Sequence, residues 1–546
     1  MMNKQLSCLL IPVLLLCLLL SAAAADGYDL PKMYPLNEGG EAVINDVSSG
    51  FFRPVSDRNR VFYEIFTGSF SDSDGDGIGD LRGIINRLDY LNDGDPFSGT
   101  SLGIEGILLT PIFESPSYHK YDVTDYYKID PAFGTVEDLR ELLRLCHERD
   151  ILVILDLPLN HTGNRNAWFR SFTGAHVIGN KANKYYDYYS WISGDDPAPA
   201  GRHFMRVSGS TDLYECNFSD DMPELNFENE EVFREAVNIA RYYLDLGVDG
   251  FRFDAAKYID YGSNPESIAF WKRYLAELRA VKPDIYTVAE VWDGEGIMDQ
   301  YQSCVNCFRF SISQAEGLLA ETAKKGNVNR YTAYVENYMR KNTGLRDDAM
   351  FIPFISNHDM DRSAGYLTVA SGHMGMAANL YLLGPGSPFI YYGEEIGLRG
   401  SRGGARTDAN RRLAMLWGDG DTVKDPVGAD YGSQSTYTVA DLKGMSSSLL
   451  NHYKKLLMIR KANPEIARGT YTAVPLADTK AGGFKAEWEG STVYVFHNTT
   501  VSKVRIDLNA VADPVPSVLA ASVGNEDALL EAGILTLPAQ CSAVVR

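Results

Sequence analysis

Two patterns of apolar residues alternate along the chain and predict two kinds of element. Short apolar runs predict buried β-strands, and apolar residues recurring every three or four positions predict amphipathic helices. The predicted strands cover residues 61–66, 104–110, 151–157, 248–254, 285–291, a part of 305–311, 351–356 and 389–392. Helical patterns between them include residues 136–149, 230–246 and 267–281. This alternation predicts an α/β fold in which eight units close a (β/α)8 TIM barrel.

Two stretches depart from the alternation. Residues 162–226 are rich in Tyr, Asn, Gly and Asp without regular periodicity, and a connection of this length predicts an inserted domain. From residue 463 onward, short strands at 492–496, 504–508 and 534–537 are separated by turn residues, which predicts an antiparallel β domain. The expected division is therefore a lead-in at 26–60, a barrel at 61–161 and 227–462, an insertion at 162–226, and a C-terminal domain at 463–546.

The first 25 residues have the pattern of a secretory signal peptide. Lys4 is the only charge before Asp26, residues 9–20 are apolar, and small residues follow at 21–25. This apolar run is too short to span a membrane, and no later run reaches the roughly 18 apolar residues that a span needs. We therefore expect a secreted or periplasmic protein without a membrane span.

Composition narrows the range of partners. The chain has 546 residues, of which 45% are hydrophobic and 23% charged, as in ordinary globular proteins. Its formal net charge of −21 disfavours nucleic acid and anionic membranes as partners. Five cysteines follow the signal segment, and an odd number leaves at least one of them unpaired. Cys304 and Cys307 form a lone C-x-x-C, which could be a local disulfide, half of a metal site or two buried thiols, and we favour a structural role.

Charged and imidazole side chains stand where several predicted strands end. In a TIM barrel the active site lies at the carboxyl ends of the strands. The side chains at the ends of the third, fourth, fifth and seventh strands are Asp156, Asn160, His161, Arg252, Asp254, Glu290, His358 and Asp359. A barrel core is filled by apolar residues and does not need these groups for stability. Carboxylates and histidines together indicate a metal hydrolase or a glycosidase.

Arg252 and Asp254 lie two positions apart on the fourth strand, so their side chains point the same way. A neighbouring guanidinium is expected to keep the pKa of Asp254 low, and an ionised carboxylate at a strand end can act as a nucleophile. The competing interpretation is a structural ion pair. A glycosidase would also need a protonated carboxyl group across the scissile bond.

These segments resemble sequence regions of the α-amylase family, glycoside hydrolase family 13. The matching stretches are Asp156-x-x-x-Asn160-His161, Gly250-Phe251-Arg252-x-Asp254-Ala255-Ala256-Lys257, Glu290, Asn357-His358-Asp359, Met222-Pro223-Glu224-Leu225-Asn226, and 386–394. The family usually has Asp in place of Glu224. The resemblance implies a catalytic barrel, a domain inserted after the third strand and a C-terminal β-sandwich, with α-glucans as substrates.

The resemblance also implies roles for single residues. Asp254 matches the family nucleophile, Glu290 the general acid/base, and Asp359 the carboxylate that holds the sugar 2- and 3-hydroxyls. Arg252 would keep Asp254 ionised, and Tyr121 would stack beneath the reacting sugar. The implied substrate-binding residues are Tyr121, Asp122, His161, Arg252, Lys257, Tyr258 and His358. Family α-amylases often have Lys-His where this chain has Lys257-Tyr258, so binding on the leaving-group side is expected to differ.

An acidic loop at residues 72–80 predicts a calcium site. Hard oxygen ligands at alternating positions, with glycines that permit the turn, suit Ca²⁺. A solvated acidic turn is the competing interpretation. The loop resembles a calcium loop after the first barrel strand in oligosaccharide-acting branches of the family, which implies as ligands Asp72, Asp74, Asp76, the Ile78 carbonyl and Asp80. A second calcium site at Asn160 is a weaker hypothesis.

The preferred function is a secreted, retaining, endo-acting α-amylase that cleaves α-1,4 bonds in starch and maltooligosaccharides as a monomer. Ala255-Ala256-Lys257 favours this interpretation. The acidic loop and Met222-Pro223 favour an exo-acting or mixed-specificity relative: an α-glucosidase, neopullulanase or oligo-1,6-glucosidase. A non-catalytic glycan-binding relative is disfavoured because all three catalytic-type carboxylates are present. The insertion is expected to form one wall of the cleft, with most of its aromatic residues in its own core.

Overall fold

The computed structural model describes residues 32–403 and 407–546. The predicted signal peptide lies outside the described residues. Within them, no helix combines the length and apolar character needed to cross a bilayer. Residues 32–60 form an extended lead-in with one 3-10 turn, Ser49–Phe51.

The elements alternate through the first two thirds of the chain. The strands there are β1 (Phe62–Ile65), β2 (Gly106–Leu109), β3 (Phe113–Glu114), β4 (Asp125–Ile129), β5 (Leu152–Leu157), β6 (Trp191–Ile192), β7 (Phe204–Arg206), β8 (Leu213–Glu215), β9 (Gly250–Phe253), β10 (Tyr286–Ala289), β11 (Asn306–Cys307) and β12 (Phe389–Tyr391). The strands that follow are β13 (Thr470–Pro475), β14 (Ala481–Trp488), β15 (Ser491–Asn498), β16 (Val504–Asp507), β17 (Leu519–Val523), β18 (Leu529–Glu531), β19 (Ile534–Leu537) and β20 (Cys541–Val545).

The α-helices lie mainly between the barrel strands. They are α1 (Leu81–Asn86), α2 (Leu88–Leu91), α3 (Val136–Glu148), α4 (Ala167–Ile178), α5 (Glu230–Leu246), α6 (Asn264–Val281), α7 (Glu295–Tyr301), α8 (Leu318–Lys325), α9 (Val328–Asn342), α10 (His373–Leu382), α11 (Val439–Leu442), α12 (Leu449–Ala462), α13 (Glu465–Arg468) and α14 (Leu508–Val511). Helix α5 shows how the sequence sets such bounds. The Asn229 side chain caps its first turn, and Gly247 ends it in a left-handed conformation with φ 110°.

Seven parallel strands form the barrel sheet in the order β11-β10-β9-β5-β2-β1-β12. The predicted seventh strand is reduced to a single parallel bridge between Phe308 and Ile352. The ring still closes, because the amides of Ser387 and Phe389 donate to the carbonyls of Phe351 and Pro353 at 2.8 and 3.0 Å. A proline has no N–H to give to a ladder, which accounts for the short pairing here. The predicted TIM barrel is confirmed.

Close approach of two strands sets the position of the fourth strand end. A Cβ atom at Gly250 would lie 1.8 Å from the carbonyl oxygen of Tyr286 on the neighbouring strand. Only glycine therefore allows β9 to lie this close to β10. The register pairs Arg252 with Val288 and Phe253 with Ala289, so the residues that follow these two strands become neighbours.

The insertion builds a small sheet, β6-β8-β7, over helix α4. Phe169, Phe172, Tyr188 and Tyr189 are buried in its core, and Tyr185 and Trp191 pack against them. The prediction that most aromatic residues of this segment form a core is confirmed.

The C-terminal segment forms two antiparallel sheets. Their orders are β13-β14-β15-β20-β17 and β16-β19-β18, and Phe496, Leu535 and Val545 are among the residues buried in their common core. The predicted C-terminal β domain is confirmed. Cys304 and Cys307 are buried free thiols, as are the other described cysteines, so the local disulfide does not form.

Candidate active site

The carboxyl ends of the barrel strands surround a cavity of about 590 Å³. Three of the carboxyl groups that line it follow barrel strands: Asp254 after β9, Glu290 after β10 and Asp359 after the short seventh strand. Parallel strands of one barrel present their carboxyl ends on the same face, which is why residues distant in the chain meet here.

One buried guanidinium connects three carboxyl groups at the floor of this cavity. Arg252 is 2% exposed. Its Nη1 donates to Asp156 Oδ1 at 2.7 Å and to Asp254 Oδ1 at 2.5 Å, and its Nη2 lies 3.1 Å from Glu290 Oε2. A single positive charge is thus shared among three acids, and each of them receives only part of its stabilisation.

This sharing corrects the expectation that Arg252 gives Asp254 a low pKa. Burial raises the pKa of Asp254, and the charge of Asp156 raises it further, while Arg252 only opposes these effects. The expectation was wrong because a residue pair read from sequence does not show the desolvation of the carboxyl group or the other acids around the guanidinium.

Glu290 is the carboxyl group of this set that keeps a proton near neutral pH. Burial raises its pKa to about 7; Arg252 opposes this, and Asp254 and Asp359 add to it. Its Oε2 accepts the amide N–H of Ala255 at 2.9 Å. Ala255 has φ 47°, a left-handed conformation that is rare for a residue with a side chain and that aims this amide at Glu290.

A charged histidine, His358, contacts Asp359 from outside the cavity lining. His358 Nδ1 donates to Glu64 Oε1 at 2.5 Å, and its Nε2 lies 3.0 Å from Asp359 Oδ2. Although burial lowers the pKa of His358, the charges of Asp359 and Glu64 raise it to about 10. The ring is therefore an imidazolium at neutral pH.

Asp359 faces the cavity as an ionised carboxylate. Burial favours its protonated form, but His358 and Arg412 hold its pKa well below the usual range. Arg412 Nη2 donates to Asp359 Oδ1 at 2.7 Å, and its Nε donates to the His358 carbonyl at 3.1 Å. Asp359 thus faces the cavity with a fixed charge and a fixed orientation.

The predicted substrate-binding residues divide into two groups. Tyr121, Asp122, His161, Lys257 and Tyr258 line the cavity, whereas Arg252 and His358 are outside its lining. The latter two act on the lining carboxylates through the contacts described above. Direct contact of His358 with the sugar therefore stays a prediction.

Tyr121 is fixed by two hydrogen bonds through its hydroxyl group. The hydroxyl donates to Asp156 Oδ2 at 2.8 Å and lies 2.6 Å from His358 Nε2. The ring is nearly parallel to the His358 imidazole, with an angle of 16° between the planes. These bonds lock a flat apolar surface in the cavity wall, as a sugar-stacking role requires.

The other lining residues are also held by neighbours. Asp122 accepts hydrogen bonds from Ser115 Oγ at 2.6 Å and from Ser117 Oγ. His161 lies 3.1 Å from the Tyr121 carbonyl oxygen, and burial lowers its pKa to about 4, so it is neutral. Lys257 Nζ donates to the Trp292 carbonyl at 2.8 Å.

Sequence reasoning missed Glu64 and Arg412 and gave Asp156 no role. Glu64 carried a usable signal, since it is a lone acid inside the apolar run that forms β1. Asp156 ends β5 and stands in a quoted motif, so its position was also available. Arg412 lies in an irregular segment with no periodic pattern, and no sequence signal pointed to it.

The acidic loop brings together part of the predicted calcium ligand set. Carboxylate oxygens of Asp72, Asp74 and Asp80 lie within 4.8 Å of one another. Asp76 is outside this group, and its Oδ1 accepts the Ile78 amide at 2.7 Å. Oxygen donors alone are the ligands that Ca²⁺ prefers, so the residues present fit this ion. The Ile78 carbonyl stays a predicted ligand.

Comparison with known proteins agrees with this geometry. The model of the family described as "Alpha amylase, catalytic domain" matches residues 64–469. The chain belongs to the α-amylase family. It is 36% identical over 446 residues to Alpha-amylase 3 of Dictyoglomus thermophilum, covering 81% of this chain and 85% of that protein. A cyclomaltodextrinase of Thermoanaerobacter pseudethanolicus is 32% identical over 79% of this chain and 66% of its own length.

Solved structures give the same result. Amy13B of Eubacterium rectale superposes with a TM-score of 0.82 at 32% identity, covering 91% of this chain and 97% of that one. An α-amylase from H. orenii superposes with a TM-score of 0.77 at 35% identity, covering 90% and 99%. The protein is a glycoside hydrolase of the α-amylase family that acts on α-glucans.

Replacing Glu64 tests the charged histidine. In Glu64→Gln the buried imidazolium loses one of its two carboxylate partners, and breaking such a pair costs about 3–5 kcal/mol. The pKa of His358 is raised from the ordinary value near 6.5 to about 10. The stabilisation is therefore complete below the lower value and is lost as the pH rises through the upper one.

We expect the loss in unfolding free energy to be large at pH 6 and to shrink toward pH 10, as measured by thermal unfolding. Glu141→Gln is the control, because Glu141 is on the solvent-facing side of α3 and pairs with Arg144 there. Such a surface change should leave the unfolding free energy nearly unchanged. A loss for Glu64→Gln that does not vary with pH would contradict the assignment.

Proposed function

We propose that this protein is a secreted, retaining, endo-acting α-amylase that cleaves α-1,4 bonds in starch and maltooligosaccharides. The observation that carries the proposal is the pair of carboxyl groups on adjacent strand ends, Asp254 and Glu290, which share Arg252. A single guanidinium between them implies a short separation. Retaining glycosidases hold these groups about 5–5.5 Å apart, and inverting enzymes about 6.5–9.5 Å apart.

The mechanism follows from the two environments. Asp254 attacks the anomeric carbon while Glu290 gives its proton to the glycosidic oxygen, and the bond to the leaving sugar breaks. The glycosyl ester on Asp254 is then opened by water, which transfers a proton to the now ionised Glu290. The α configuration is retained because the carbon is inverted twice. Asp359 holds sugar hydroxyls throughout.

The open rim of the cavity supports action within a chain. Phe218 and Trp292 line the cavity and are 46% and 40% exposed. Trp292 is stacked on Phe310, with ring centroids 5.0 Å apart, which fixes its exposed face. Flat, rigid and partly exposed rings suit the apolar faces of successive sugars.

A mixed-specificity enzyme is the second candidate. Met222, part of the motif that favoured those branches, lines the cavity, and the cyclomaltodextrinase relative is 32% identical. Product analysis on starch, pullulan and isomaltose separates the candidates. An endo-acting α-amylase gives mixed oligosaccharides from starch early in the reaction and leaves isomaltose intact.

Location and assembly are part of the proposal. The charge and apolar pattern of residues 1–25 support export to the periplasm or the medium. The proposed working form is a monomer, since the catalytic residues all come from one chain.

Covalent trapping tests the nucleophile. A fluorinated glycosyl donor slows hydrolysis of the glycosyl ester, so peptide mass spectrometry of the inactivated enzyme should find the label on Asp254. Asp254→Ala should take up no label and lose several orders of magnitude in rate. Asp293→Asn is the matched control beside the cleft, since Asp293 pairs with Lys257 at 3.0 Å. Label on another carboxylate, or a β-anomeric first product, would refute the assignment.

The pH dependence tests the general acid. The pKa of Glu290 is about 7, so the protonated form is present below this value and kcat/KM should fall as the pH rises through it. Glu290→Gln should lose about 10²–10⁴-fold on starch. The phenol of an aryl maltoside with an acidic phenol leaves without a proton. The rate of its ester-forming step should therefore not fall as the pH rises through about 7. A fall in rate at alkaline pH with both substrates would contradict the role of Glu290 as general acid.

The calcium hypothesis makes Asp72, Asp74 and Asp80, together with the Ile78 carbonyl, the ligands that stabilise the first βα turn. Binding to the folded state stabilises it by about 2.7 kcal/mol at a hundredfold excess over Kd. Chelation should therefore lower the melting temperature, and added Ca²⁺ should restore it. Asp74→Asn should abolish this response, whereas Asp76→Asn, outside the group, should keep it. Equal melting with and without chelator would exclude the site.

A further inference from the structure

Three side chains of different donor chemistry meet on the inserted domain. Ligand atoms of His203, Cys216 and Asp220 all lie within 4.8 Å of one another. They are not in the lining of the catalytic cavity, and the proposed hydrolysis uses none of them. A nitrogen, a sulfur and an oxygen donor at one point form a set that transition metals bind.

The hairpin β7–β8 places the first two donors side by side. Its register pairs Phe204 with Glu215, so the next positions outward are His203 and Cys216. The Cys216 amide donates to the His203 carbonyl at 2.9 Å, which continues the ladder by one pair. Directly opposed residues of an antiparallel pair have neighbouring Cβ atoms about 4.5–5.5 Å apart on the same face.

The turn after β8 places the third donor, Asp220, beside the other two. Asn217 Oδ1 accepts the His203 amide at 2.7 Å, and the Tyr214 hydroxyl donates to the Asp220 carbonyl at 2.7 Å. These bonds fix the turn without using the Asp220 carboxylate. That carboxylate instead lies within hydrogen-bond distance of His203 Nε2, at 2.8 Å.

Two of the three donors are open to solvent, and the third is buried beneath them. The side chains of His203 and Asp220 are 54% and 64% exposed, and the buried Cys216 forms the floor between them. Burial raises the pKa of Cys216 to about 12, so the free thiol is protonated at neutral pH. Metal binding must displace this proton.

We propose that His203, Cys216 and Asp220 bind Zn²⁺ in a site on the inserted domain, with water as the fourth ligand. Three protein ligands of N, S and O type with one open position match tetrahedral zinc coordination. Calcium and magnesium prefer oxygen ligands and are disfavoured. On binding, the Cys216 thiol releases its proton to solvent, and the neutral His203 ring binds the ion through an unprotonated nitrogen while its one N–H proton stays on the other ring nitrogen.

The site adjoins the cleft. The turn that carries Asp220 continues through residues 218–222, of which Phe218, Ser219, Asp221 and Met222 line the catalytic cavity. Zinc would tie this wall to the β7–β8 hairpin. An effect of zinc on the cleft rests on the proposed function, whereas zinc binding itself does not.

Titration of the full-length protein with Zn²⁺ tests the site, with Ca²⁺ in excess to occupy oxygen-only sites. We expect one zinc per chain by calorimetry, with affinity that rises with pH because a proton is released. Co²⁺ in its place should give a thiolate-to-cobalt charge-transfer absorption. Cys216→Ser should abolish this absorption, and Asp220→Asn should weaken zinc binding by more than about 100-fold, since even outer partners of ligands cost about 10–100-fold.

Two further substitutions make the test independent of whether the Cys216→Ser variant folds. His203→Gln and Asp220→Asn alter exposed side chains, so they decide the result if Cys216→Ser does not fold. Asp195→Asn, at another exposed carboxylate of the insertion, should bind zinc like the wild type. Zinc stoichiometry and cobalt absorption that are unchanged in all three site variants would overturn the proposal.

The effect on the cleft is measured separately. Zinc should change KM for long maltooligosaccharides in the wild type and leave it unchanged in Asp220→Asn. Binding without any change in KM would refute the coupling to the cleft, and it would not alter the calorimetric result. Loss of all hydrolysis in zinc-free wild type would instead count against the proposed function.

Discussion

The balance of buried charge around Arg252 is the constraint on which this active site depends. Asp156, Asp254 and Glu290 all contact one guanidinium, and Glu64 and Asp359 are balanced by His358 and Arg412. Five carboxyl groups therefore face three cations. A buried charge without a partner is very costly, so part of this surplus of two acids is relieved by a proton. Glu290, with a pKa near 7, is the group of the cavity that holds this proton.

The barrel brings these charged groups together because it places strands that are far apart in sequence next to one another. Glu64 on β1 reaches the imidazole that follows the short seventh strand, and Tyr121 links the same imidazole to Asp156 after β5. The seventh strand has little ladder of its own, so these side-chain bonds position the loop that bears Asp359. Hydrogen bonds to charged groups are worth about 1.5–3 kcal/mol each, more than the missing neutral ladder bonds.

Alternation and topology made part of the site predictable. Asp254, Glu290 and Asp359 end predicted parallel strands, so a correct barrel places them together, and residues 230–246 could be assigned as a helix from their apolar periodicity. What depends on burial was not predictable. The raised pKa of Asp254 comes from desolvation and from Asp156, and Arg412 reaches the site from an irregular segment. The exclusion of Asp76 from the acidic cluster likewise depends on loop geometry.

Chemistry and specificity have separate structural origins in this molecule. The carboxyl groups stand on strand ends whose positions are set by the ladder and by the close approach at Gly250. The walls of the cavity come largely from loops, among them residues 117–122, 218–222, 257–258 and 407–412. Strand ends are rigid and loops tolerate change, so one catalytic arrangement can serve amylases, cyclomaltodextrinases and glucanotransferases alike. In this chain the walls are held by the stacking of Trp292 on Phe310 and by the hydrogen-bonded turn that follows β8.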